Sequence, residues 1–312
     1  MSTATDGDAP TGRAPSGPER LSARDWLDVF KRSGKEFMTD DCMGLSQQIA
    51  YSSLLAFFPA MVFLIAFLDL VGAYDALLEF LEPVAPRSVT AIIHQLERDT
   101  GGASVVLLAL GIFGALWAGS GAMGSVVKAV NRAYGRLETR PLWKVRLISL
   151  VLVLASGTVL AGMLLLVVLG GKLGDAIAAK AGFGAAFDWV WNVARWPLAF
   201  LVILVLFALI YYLAPNAEHQ SWKWISPGAF VGGLAWLALS GLFALYTSFS
   251  DSFSRTYGAL AGGIVLLLWL NYSAWAVLFG AELNSELERQ AEIRAAGGPD
   301  AGLVKPARRL SS

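Results

Sequence analysis

The chain has 312 residues, 56% of them apolar and only 15% charged, and its mean hydropathy of +0.57 is far above that of a soluble domain. Lys plus Arg equals Asp plus Glu at 24 each, so no global field points to nucleic acid or to an acidic substrate. A single cysteine, Cys42, excludes an intramolecular disulfide, and two histidines, His94 and His219, leave little material for a zinc site.

Residues 1–20 are rich in Ala, Gly, Pro, Ser and Thr and lack the apolar core of a signal peptide, so they read as a disordered tail. From Leu21 to Phe37, the apolar Trp26, Leu27, Val29 and Phe30 stand among Arg24, Lys31, Arg32 and Lys35. That pattern predicts an amphipathic helix on the inner leaflet, with a short solvated helix as the alternative.

Six runs without Asp, Glu, Lys or Arg follow, at 42–68, 100–127, 147–171, 196–217, 224–250 and 256–281, holding 27, 28, 25, 22, 27 and 26 residues. A helix needs about 20 mostly apolar residues to cross the hydrocarbon. A barrel would show alternating segments of about ten residues, and nothing here alternates that way. The expected fold is therefore an all-α integral membrane protein, a bundle of six transmembrane helices with amphipathic flanking helices. The predicted division is a tail at 1–20, a membrane domain at 21–288 and a second tail at 289–312.

Lys and Arg divide 18 to 6 between the two sides of such a bundle, with the richer side holding both termini and the loop from Lys128 to Arg146. The positive-inside rule then puts both termini in the cytoplasm. On the opposite side, residues 75–99 predict two short helical pieces broken by Pro83 and Pro86, and 172–195 predict a loop anchored by Phe187, Trp189 and Trp191.

Within the runs, small residues recur at helix spacing, as at Gly111, Gly114 and Ala118, and at Gly228 and Gly232, which allows close helix contact. Pro59 predicts a kink in the first span, either a hinge or a bend. The spans hold no ionisable carboxylate or amine, which argues against an ion-coupled carrier. Their polar residues, Ser52, Ser53, Ser120, Ser156, Thr158, Ser240 and Asn271 among them, read chiefly as helix-packing groups. Charged and amide residues gather instead at the cytoplasmic ends: Asn131, Arg132, Arg140, Asn216, Glu218, Glu282 and Asn284. A buried Glu282 needs a cation or a donor, and the loop after the second span offers several. Glu282, Glu286 and Arg289 share one face, so the last span is expected to continue as a helix with a charged face toward the cytoplasm, as far as Ala295. No carboxylate or histidine set with metal-ligand spacing and no nucleophile motif is present, so neither an enzyme, a metal nor a cofactor is expected.

Several short stretches occur together: Ala50-Tyr51 and Leu54 to Pro59, Leu116-Trp117, Asn131, Tyr134-Gly135, Arg140, Tyr212 to Pro215, Trp224, Pro227-Gly228-Ala229, Tyr246, Tyr257 to Ala261, Trp269-Leu270, and Gly280 to Asn284. In these the chain resembles the YihY/BrkB family of bacterial inner-membrane proteins, some of which were labelled ribonuclease BN, over about residues 45 to 288. The resemblance implies a six-helix inner-membrane protein with both ends cytoplasmic and an envelope or transport role. Ala56 departs from a frequent serine and Asn271 from a usual apolar residue.

The candidate functional or helix-locking residues are then Tyr51, Pro59 and Trp117 in the first two spans, and Asn131, Tyr134 and Arg140 at and beyond the second. Pro215, Pro227, Gly228, Tyr257, Gly258, Glu282 and Asn284 complete them. The leading functional expectation is a transporter or flippase-like protein for a lipid or amphipathic solute, with membrane lipids as partners and no nucleic acid. The alternative is an envelope-maintenance scaffold that binds a partner through its cytoplasmic helix ends, and a ribonuclease comes last.

Overall fold

The computed structural model describes residues 21–70, 105–168, 185–216, 222–248 and 259–295. These form seven helices: α1 (Ala23–Thr39), α2 (Cys42–Leu70), α3 (Val105–Ala133), α4 (Leu142–Val168), α5 (Ala185–Leu213), α6 (Trp222–Ser248) and α7 (Ala259–Ala295). Among the described residues there is no strand, and α2 to α7 are each long and apolar enough to cross a membrane. The predicted tail at 1–20, residues 296–312 of the second tail and the pieces at 75–99 lie outside the described residues, whereas 289–295 continue α7.

The helix ends follow from local chemistry. Ser22 caps α1 in a reciprocal box with Asp25: the Asp25 N–H donates to the Ser22 hydroxyl, and the Ser22 N–H donates to the Asp25 carboxylate at 2.7 Å. At the end of α3, Gly135 takes φ 62, and the N–H groups of Gly135 and Arg136 donate to the Arg132 and Asn131 carbonyls. This is a left-handed stop that glycine adopts without steric cost. Pro141 opens the turn into α4, with Lys144 N–H on its carbonyl at 2.9 Å, and Pro215 stands two residues beyond α5.

Two boundaries differ from the sequence expectation. Helix α5 begins at Ala185, so Phe187, Trp189 and Trp191 belong to its first turns and not to a loop. Helix α4 begins at Leu142, which places Arg146 inside a membrane-spanning helix. A charge-free run marks only the part of a helix that tolerates no charge, whereas the helix itself continues wherever backbone bonding can.

α2 and α3 cross closely. A Cβ on Gly111 would lie 2.8 Å from the Phe63 backbone, and one on Gly114 would lie 3.0 Å from Pro59 Cβ. The Ser52 and Ser125 hydroxyls bond across the same pair at 3.1 Å. α6 and α7 are joined by the Trp236 indole N–H on Ser273 and the Trp269 indole N–H on Ser240, at 3.0 and 3.2 Å. Ser156 and Thr158 instead donate to carbonyls of their own helix.

Burial is uneven along the bundle. The core around Leu45, Val130, Ile210, Tyr211, Ile225 and Leu278 sits at the end where α1 lies. Beyond Leu152 on α4 and Gly233 on α6, and before Ala199 on α5 and Ala274 on α7, no residue of described burial is buried. The bundle is closed at the α1 end. In the other half α2–α3 and α6–α7 persist as pairs, without a common core among the described residues.

The charged face expected on the last span is not a solvated one. Glu286 is fully buried and Gln290 nearly so, because α1 packs along this part of α7. Val29 and Leu21 meet Leu283 and Leu287 there. Leu27, Phe30 and Met38 remain exposed on α1.

Candidate functional site at the closed end of the bundle

Three polar clusters fasten the closed end. In the first, Asn131 on the last turn of α3 donates from Nδ2 to Glu138 at 2.8 Å and accepts the Asn216 N–H on Oδ1 at 2.6 Å. Arg140 holds both Glu138 oxygens, at 2.7 Å through Nε and 2.6 Å through Nη2. It also donates to the Ala214 carbonyl at 2.8 Å, at the end of α5, where the helix leaves carbonyls unpaired and its dipole favours a cation. The Asn216 Nδ2 donates to the Leu137 carbonyl and to Thr139 Oγ1, both at 2.8 Å. Loop 134–141 is thereby tied to α5, with Pro215 buried beneath it.

The Arg140 hydrogen bonds, against the opposing effect of burial, hold the Glu138 carboxyl below the usual carboxylate range. A group with a depressed folded-state pKa stabilises the fold above its ordinary value near 4.5, and that contribution disappears as pH falls through the depressed value. Wild type should therefore exceed Glu138→Gln in thermal midpoint at neutral pH. The gap should close only below the ordinary carboxylate range; a gap that already vanishes near pH 6 would contradict this assignment.

In the second cluster, Pro227 interrupts α6, and the Gly228 N–H donates to Asn284 Oδ1 at 2.8 Å across to α7. Gly228 and Gly280 allow this approach, since a Cβ on Gly228 would overlap the Gly280 carbonyl and the Asn284 amide. The Tyr211 hydroxyl donates to the Val277 carbonyl at 2.8 Å and fits into the space left by Gly232 and Gly280. Tyr134, just past α3, is buried near Asn284, and burial pushes its hydroxyl pKa up, so it stays neutral.

The third cluster lies on the α1 side of α7. Arg32 donates to Glu286 at 2.8 Å and to Gln290 Oε1 at 2.6 Å. Gln290 Nε2 passes the chain on to Asp25 at 2.8 Å, and Arg289 approaches Glu286 at 3.3 Å. Glu282, fully buried, receives the Cys42 thiol at 3.5 Å. The sequence expectation was a cation or a donor, with several offered by the loop after the second span; the Cys42 thiol is such a donor, while Arg140 of that loop is bound to Glu138 and to the end of α5.

Asn131, Tyr134, Arg140, Pro215, Pro227, Gly228, Glu282 and Asn284 thus gather at one end. Pro59 and Trp117 do not join them: Pro59 packs on Gly114 and Trp117 is exposed farther along α3. Tyr51, 61% exposed, stands on the outer face of α2. Tyr257 and Gly258 lie outside the described residues. Sequence reasoning missed Arg32, Gln290, Tyr211 and Arg146 as functional candidates. The i, i+4, i+8 spacing of Glu282, Glu286 and Gln290 was a signal for a buried polar seam. No grouping of three or more His, Cys, Asp or Glu that could hold a metal occurs among the described residues.

Six apolar helices fastened at one end by buried polar clusters define a multi-pass α-helical membrane protein. The family model described as "Virulence factor BrkB" matches residues 33–302, and the chain belongs to that family. It is 34% identical over 255 residues to the ribonuclease-like protein YfkH of Bacillus subtilis, covering 80% of this chain and 90% of that one. It is 27% identical to a UPF0761 membrane protein of Rhodospirillum centenum, covering 86% of this chain but only 59% of the longer relative. A UPF0761 membrane protein of Idiomarina loihiensis is 26% identical, with 84% of this chain and 91% of the relative covered. No solved structure matches.

Proposed function

We propose that this protein is a transporter or flippase-like protein that handles a lipid or amphipathic solute in the bacterial inner membrane, with both termini and the closed end of the bundle in the cytoplasm. The observation that carries the reading is the uneven bundle: polar clusters seal the α1 end, while in the other half many apolar side chains are exposed and no common core joins the two helix pairs among the described residues. An amphiphile entering from the bilayer meets such side chains without crossing a packed core. The excess of Lys and Arg on the closed side supports the cytoplasmic placement. The scaffold alternative has less support, because the polar side chains at the helix ends bond to one another.

The test is movement of fluorescent lipid by the purified chain in liposomes. Wild type should raise the rate above protein-free liposomes. Asn131→Ala and Glu282→Gln, in protein that keeps its fold, should lower it by about fivefold, as expected for about 1 kcal/mol lost from the closing contacts. A wild type that moves neither zwitterionic nor anionic lipid would remove the transport reading. RNA cleavage by nuclease-free protein would favour the ribonuclease-like name carried by the Bacillus relative.

A further inference from the structure

Arg146 lies on the second turn of α4, inside the span Leu142–Met163. Its side chain does not turn back toward the near end of the helix. Nη2 donates to the Trp117 carbonyl at 2.9 Å, and the guanidinium carbon stands 4.7 Å from the centre of the Trp117 ring. Nη1 lies 3.9 Å from where a Cβ on Gly121 would sit. Gly121 is twelve residues from the end of the span Leu108–Ala133, roughly 18 Å along the helix axis. Arg146 itself stands only four residues from Leu142, the start of its own span, so the guanidinium reaches from the charged end of the bundle, past the level of Lys128, into the first turns of the apolar region.

No carboxylate pairs with Arg146 among the described residues, and one carbonyl and one ring face leave most of its five N–H donors unused. Both Arg146 and Trp117 are exposed, and their surroundings are apolar: Phe113 stacks on Trp117, and Leu147 and Val151 are exposed on α4 beside them. A guanidinium turned into apolar surroundings without a counter-charge is unfavourable, and an anion beside it relieves that cost. From this position we infer that Arg146 and Trp117 form a binding site for the headgroup of an anionic phospholipid. The inference rests on the lipid-handling reading above and names the substrate's headgroup.

The chemistry favours a net anionic lipid over a zwitterionic one. A phosphodiester presents two oxygens to the guanidinium fork and cancels its charge. A choline headgroup would bring a second cation to a ring face that Arg146 already covers.

The experiment is native mass spectrometry of the full chain released from nanodiscs holding phosphatidylglycerol and phosphatidylcholine in equal amounts. Wild type should retain phosphatidylglycerol over phosphatidylcholine by about tenfold, and Arg146→Gln should reduce the ratio to near unity. Arg146→Lys, which keeps the charge but not the fork, should fall between, at about threefold, and serves if the Gln variant does not fold. Equal retention of the two lipids by wild type, or an unchanged ratio in the folded variants, overturns the site. Displacement of phosphatidylglycerol by inorganic phosphate also overturns it, in favour of a soluble anion. Lipid retention without lipid movement would remove the transport reading and leave the site standing, whereas movement without the preference would do the reverse.

Discussion

Gly228→Val should lower the thermal midpoint of the purified chain more than other single exchanges of span glycines. The smallest side chain at 228 would already overlap the Gly280 carbonyl and the Asn284 amide. The valine must therefore push α6 away from α7 and break the 2.8 Å bond between the Gly228 N–H and Asn284 Oδ1. Overpacking costs about 1–3 kcal/mol, and loss of a buried hydrogen bond adds about 1–3 kcal/mol where a partner is left unsatisfied. The Gly280 carbonyl is backbone and cannot yield, and the Asn284 side chain can turn away only by giving up its bond to the Gly228 N–H, so the upper part of that range is expected. Gly241→Ala and Gly263→Ala are the comparison, because a Cβ at either position would meet nothing within 4 Å. Fluorescence-detected thermal unfolding in detergent checks the order. A Gly228 variant no less stable than the other two would show that α6 and α7 do not approach as closely as described.

The second large effect concerns the seam between α1 and α7. Arg32→Met removes the donor to Glu286 at 2.8 Å and to Gln290 at 2.6 Å, leaving a fully buried carboxylate with only the longer approach of Arg289. Breaking a buried ion pair from one side costs about 3–5 kcal/mol; the remaining Arg289 and the partial exposure of Arg32 reduce this to about 2–3 kcal/mol. Hydrogen exchange across α1 should accelerate by about two orders of magnitude, the equivalent of that energy. Adding Glu286→Leu should recover more than half of the loss, since an apolar pair packs where a lone carboxylate could not. If the double variant is as weak as the sum of the singles, the two residues act independently and the coupling is refuted.

Loop 134–141 shows the same logic on a smaller scale. Asn131, Glu138, Arg140 and Asn216 come from two separate loops and a helix end, yet each supplies what another lacks. The sequence marked Asn131, Arg140 and Asn216 as polar residues near helix ends but contained nothing to pair them. Partner choice depends on how α3 and α5 lie side by side. For Glu282 the sequence called for a cation or a donor without singling one out, and one donor, the Cys42 thiol, comes from a helix 240 residues away.

The sequence by itself determined the class of protein. Six long charge-free runs leave only spanning helices, because lipid offers no partner to an open backbone. The short motifs pointed to its family. Only the tertiary structure decided which polar groups are buried together, that α1 covers Glu286 and Gln290, and that Arg146 reaches Trp117 across to α3. Periodicity gives the face of a helix on which a residue stands, but the environment of that face depends on the neighbouring helix and its offset. In a nearly all-apolar bundle, sequence pattern carries little information about either.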